Sequence, residues 1–119
     1  MTEPPTTYHL VAGAYYRDCD ASAPYVPESF ADEGFIHCTD GAQNLADTAN
    51  RYYKDDQRMY IALVIERARI EPEVRYEDAA RIYPHIYGAL NRDAIVSIVP
   101  MLREADGTFL PPKDHRPSS

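Results

Sequence analysis

Long apolar runs are missing from this sequence: none approaches the ~20 residues that a membrane-spanning helix requires. The first residues, MTEPPTTYHL, also lack the basic start and apolar core of a secretory leader. A membrane partner is therefore not expected, and the predicted location is the cytoplasm. Cysteine occurs only at Cys19 and Cys38, without CxxC spacing, so the two thiols read as small buried side chains and not as a disulfide or redox pair. Positive charge is scarce as well. Twelve Lys and Arg face 19 Asp and Glu, a net charge of −7, and such a surface repels phosphate backbones; extensive nucleic-acid contact is excluded. Arg51, Arg58, Arg81 and Arg92 could still converge on one small anion. Tryptophan is absent too, against ten tyrosines.

What is present is ordinary for a folded domain: 45% apolar and 26% charged residues in a chain of 119, enough for one hydrophobic core and not for two. We read residues 1–119 as a single domain with an ordered core over about 7–112. The Pro- and Thr-rich start and the PPKDHRPSS end are expected to be flexible. Neither a repeat nor a linker interrupts the middle.

The pattern predicts a strand over Thr7 to Ala12, a helical turn over Ala14 to Cys19, and a strand over Phe35 to Cys38 entered through Gly34. Next, Asp40-Gly-Ala-Gln43 has the form of a capping box. Ala42, Leu45, Ala49 and Tyr52 or Tyr53 then repeat at helical spacing, so a helix is predicted from Asp40 to about Tyr53. Met59 to Ile65 is apolar at nearly every position and reads as a central strand covered on both faces. Val74 to Glu77 and Ala94 to Met101 complete the strands, with Pro100 placing the last at an edge. Gly107 marks a turn within ADGTF. Strands and helices do not alternate regularly, which makes the class α+β.

Three of the four histidines occupy strand-like positions: His9 in TYHLVA, His37 in GFIHCT and His85 in YPHIYG. His115 falls in the tail. Alternation puts His37 on one face with Phe35 and Thr39, and Ile36 and Cys38 on the other. Taken singly, each histidine reads as a half-buried ring satisfied by a backbone carbonyl. Three in one small acidic domain argue instead for a shared site, because imidazole titrates near neutrality and hydrogen-bonds hydroxyls and phosphate oxygens. The start of the helix beside His37 would add backbone N–H groups that favour an anion. Gln43 reads equally as a cap or a ligand contact, and Thr39 as either too. Neither HxH nor HxxxH spacing occurs, so a three-histidine zinc site has weak support and no metal is assigned. Nucleophile-elbow and reactive-cysteine patterns are also absent.

The segments TYHLV, VPESFADEGFIHCTDGAQNLADTANRYY, VRYED, YPHIYGALNRDAIVSIVPM and DGTFLPP, in that order over about residues 7 to 112, closely resemble the small bacterial proteins grouped as domain of unknown function 952. Members carry a tryptophan shortly after the first histidine, where this chain has Tyr15 and Tyr16. That family is similar in fold to the ADP-ribosyltransferase clan, which implies a split, mixed β-sheet with short helices and an NAD-like cleft. The resemblance places a ribose contact at His9 and a second motif position at His37, followed by Thr39. It places His85 where the clan commonly has a catalytic acid, with Glu77 as a candidate substitute for that carboxylate.

From these readings the catalytic candidates are His37 and His85, and the ligand-binding candidates are His9, Thr39, Gln43 and Tyr87. The leading expectation is a small enzyme, possible transferase by resemblance, that binds an anionic small molecule such as NAD or another nucleotide-like or phosphorylated compound. Alternatives are a non-catalytic binding module and an acid/base isomerase or cyclase acting on a metabolite that is not a nucleotide. A shared site requires His9, His37 and His85 to face one cavity.

Overall fold

A computed structural model of the chain describes residues 5–113; the expectations for the remaining residues at each end, and for His115, lie outside the described residues. Six strands form two three-stranded sheets. The first contains β1 (Thr6–Ala12), β3 (Tyr60–Glu66) and β6 (Ile95–Pro100) in the order β1-β3-β6. The second contains β2 (Ile36–His37), β5 (Pro84–Tyr87) and β4 (Glu73–Tyr76) in the order β2-β5-β4. Three helices join them: α1 (Gly13–Asp18), α2 (Phe30–Glu33) and α3 (Ala42–Tyr52). The α+β class and the split into two sheets agree with expectation, whereas a mixed sheet does not: every strand pair is antiparallel.

β3 owes its central position to its composition. Tyr60, Ala62 and Val64 point to one core with Tyr8, Leu45, Ala49, Val99 and Phe109, while Leu63 and Ile65 point to a second with Val11, Tyr25, Ile36, Cys38, Ile86 and Leu90. Side chains two apart along a strand share a face, so a run without polar interruption fills two cores at once. The first core is closed by α3, the second by the other sheet. Pro100 ends the edge strand β6, where its missing N–H costs no ladder bond.

Three local expectations are corrected. The first strand begins at Thr6, one residue earlier than expected, and the Pro5 carbonyl accepts the Arg67 N–H. α3 begins at Ala42 after Gly41, and no side chain caps it. Asp40 is instead drawn inward, accepting from the Tyr76 hydroxyl and lying 3.6 Å from the Arg67 guanidinium. A long-range pairing thus outcompeted the local cap. The apolar stripe of α3 also stops at Ala49, because Tyr52 is 67% exposed.

Among the described residues one backbone bridge joins the two sheets. Tyr8 and Thr39 exchange both N–H···O bonds, at 3.0 and 2.8 Å, beyond which β1 and β2 diverge.

Candidate functional site

His9 stands where the strands part. Its Nδ1 lies 2.7 Å from the His37 carbonyl oxygen, and its Nε2 lies 2.7 Å from the Tyr25 hydroxyl. A carbonyl only accepts, so Nδ1 carries the proton and Nε2 accepts from Tyr25. Burial lowers this imidazole from the ordinary 6.5 to about 4, outweighing the bond to the carbonyl, so His9 is neutral at physiological pH. Burial likewise raises the Tyr25 phenol, which remains a donor. The side chain supplies the hydrogen bond that the His37 carbonyl would lose to the split.

Beside this wedge opens a cleft of about 680 Å³, a size typical of small-molecule sites. Its lining includes His9, Thr39, His37 and His85, with Leu45, Thr48 and Arg51 from α3 and Tyr83 from the approach to β5. All three strand histidines therefore border one cavity. Gln43 and Tyr87 do not line it: the Gln43 amide donates to Asp47 at 3.0 Å, and the Tyr87 hydroxyl donates to Glu77. The first turn of α3, from Ala42 to Asn44, is also absent from the lining, so the cleft meets the side of that helix and not its N-terminus.

The alternation in GFIHCT places the reactive groups. Ile36 and Cys38 are 0% and 2% exposed, while the His37 side chain is 54% exposed. Register pairs His37 with His85, and His85 with Arg75. Cross-strand partners share a face, so the imidazoles of His37 and His85 meet with centroids 5.2 Å apart. Phe35 stacks on His85 at 4.2 Å and meets His37 edge-on at 4.7 Å.

A carboxylate tethers each of these two rings. Glu33 Oε1 lies 3.0 Å from His37 Nε2, and Glu77 Oε1 lies 2.9 Å from His85 Nδ1. Hydrogen bonds hold both acids below the usual carboxylate range, Glu33 through His37 and Glu77 through Tyr87 and then His85. Glu77 borders a separate groove with Arg67, Arg75, Tyr76 and Arg81, so its reach toward the cleft runs through His85. Glu33 and Tyr25 were missed in the sequence. The spacing of Glu33 four residues before His37 offered a signal, but a turn and a glycine separate the two. Nothing local announces Tyr25.

The four arginines do not converge. Arg51 and Arg58 line the cleft, Arg81 lines the separate groove, and Arg92 binds the Asp20 and Ala23 carbonyls at 2.9 and 2.8 Å. Among the described residues no group of three or more His, Cys, Asp or Glu is arranged to hold a metal ion. No described helix is long and apolar enough to cross a membrane. Cys19 and Cys38 are both free thiols, and burial raises Cys38 well above the ordinary range.

Two small antiparallel sheets, split by a buried histidine and flanking a cleft that carries two carboxylate-tethered imidazoles, define a compact α+β cleft protein. The chain belongs to the family described as Protein of unknown function (DUF952), whose model matches residues 11–98. It is also similar to the crystal structure of protein CC0527 from Caulobacter crescentus, with a TM-score of 0.73 and 18% identity over 88% of this chain and 93% of that one. A double mutant of CC0527 gives the same values. This likeness extends to the fold. No curated protein matches the sequence.

Proposed function

We propose that the cleft binds a nucleotide-like or otherwise phosphorylated small molecule, NAD among the candidates, and that His37 and His85 carry out proton transfer on it. The observation that carries this reading is the convergence of two imidazoles from paired strands at one cavity, each oriented by its own glutamate. A carboxylate behind an imidazole fixes the ring's orientation, and a ring so held can serve both proton exchange and anion contact. Arg51 on the neighbouring helix supports the anionic part of the reading. His9 acts as a positioning residue, holding the backbone of His37 through its Nδ1. In an ADP-ribosyltransferase-like reaction, His85 with Glu77 behind it would take the place of the clan's acid.

The test is calorimetric titration with NAD and ADP-ribose, on the native chain and on His37→Ala and His85→Ala. Binding by the native chain that weakens in His37→Ala supports the proposal; absence of binding by every nucleotide and phosphate tried at millimolar concentration sinks it. Turnover lost in His85→Ala while binding persists would separate an enzyme from a binding module. The paired Glu–His arrangement also favours a second reading, an acid/base isomerase or cyclase whose substrate is not a nucleotide. Binding of non-nucleotide metabolites alone would select it.

A further inference from the structure

Apart from the histidines, four charged side chains border the cleft among the described residues. Glu28 and Asp32 come from the segment that enters the strand; Arg51 and Arg58 come from α3 and from the residues before β3. Arg58 is neutralised in place. Its guanidinium holds Asp56 at 2.7 and 3.1 Å and also donates to the Tyr60 hydroxyl. Among the described residues Arg51 forms no ion pair; its guanidinium lies 5.9 Å from the Tyr52 ring, and Tyr52 and then Tyr83 raise its pKa. Neither Glu28 nor Asp32 takes part in an ion pair or a side-chain hydrogen bond among the described residues. Among the described residues the cleft therefore presents one uncompensated positive charge, from α3, and two uncompensated negative charges, from the segment that enters β2.

Such an arrangement discriminates by charge distribution more than by total charge. A ligand that is anionic throughout gains from Arg51 but meets repulsion from Glu28, Asp32 and the net charge of −7. A ligand with a cationic group at its other end gains from both sets of charges. We infer that the cleft selects a dipolar ligand, placing its anionic group against Arg51 and its cationic group against Glu28 and Asp32, with the reacting atoms between them at His37 and His85. Tyr15, which lines the cleft near Glu28, offers an aromatic face to the same cationic group. The inference rests on the function proposed above and narrows its substrate class.

Oxidised and reduced nicotinamide adenine dinucleotide form a matched pair of probes, since they carry the same phosphates and differ by the positive charge of one ring. We expect the oxidised form to bind about tenfold more tightly. The double variant Glu28→Gln with Asp32→Asn should erase that preference and leave the affinity for the reduced form unchanged or improved, whereas Arg51→Gln should weaken both. Each substitution replaces an exposed side chain, and a thermal melt on every variant confirms folding. Equal affinities in the native chain, or a preference that survives the double variant, would overturn the inference while leaving the proposed function standing. If neither form binds at millimolar concentration, the proposed function fails and the inference fails with it.

Discussion

Replacing His9 with phenylalanine tests whether the imidazole holds the two sheets in register or serves a ligand. Phenylalanine fills nearly the same volume, so little cavity is created, but both hydrogen bonds at 2.7 Å disappear. The His37 carbonyl and the buried Tyr25 hydroxyl then lose their partners, each at about 1–3 kcal/mol. We expect a total loss of about 2–6 kcal/mol, read as a lower urea midpoint at unchanged slope. pH supplies a sharper check. His9 binds its proton near pH 4 in the fold and near 6.5 in the unfolded chain, so between those values the unfolded state takes up more protons. Native stability is therefore complete above about 6.5, and it falls by about 3 kcal/mol as the pH drops to about 4. His9→Phe lacks this component, so the stability gap between the two proteins should narrow as the solution is acidified. A gap that stays constant with pH, or a loss below about 1 kcal/mol, would refute the structural role.

Two further outcomes follow from the same geometry. Cys38, buried between the sheets with its thiol pKa raised, should resist thiol reagents in the folded protein, while the less buried Cys19 reacts; titration before and after denaturation should show one additional thiol on unfolding. Gly34 closes α2 in the left-handed region at φ 78°, with nothing within 4 Å of an added Cβ, so Gly34→Ala should cost about 1 kcal/mol through backbone strain alone, measured by urea unfolding.

Much of the scaffold was legible because its signals are local. The unbroken apolar run of β3 announced a strand covered on both faces, and alternation in GFIHCT separated Ile36 and Cys38 from His37 correctly. Expectation failed where a distant partner decided the outcome. Asp40 looked like a cap until Arg67 and Tyr76 offered a buried pairing, and Gln43 then turned to Asp47 on its own helix. His9 took the plain alternative, a ring satisfied by a carbonyl, yet that carbonyl belongs to His37 and so binds it to the site. The polarity of the cleft was hidden for the same reason. Glu28 and Asp32 lie far from Arg51 in the chain, and only the packing of α3 on the first sheet brings them to one cleft.

The exchange of tryptophan for tyrosine noted at the outset has an optical consequence. Several of the phenols donate to carboxylates, Tyr60 to Asp56, Tyr76 to Asp40 and Tyr87 to Glu77, and such bonding quenches phenol emission. Tyr52, Tyr53 and Tyr83, all bordering the cleft, have no carboxylate partner among the described residues and should contribute to the intrinsic fluorescence. With no indole to mask them, these cleft phenols can be followed directly, and the unlabelled protein becomes its own reporter of occupancy.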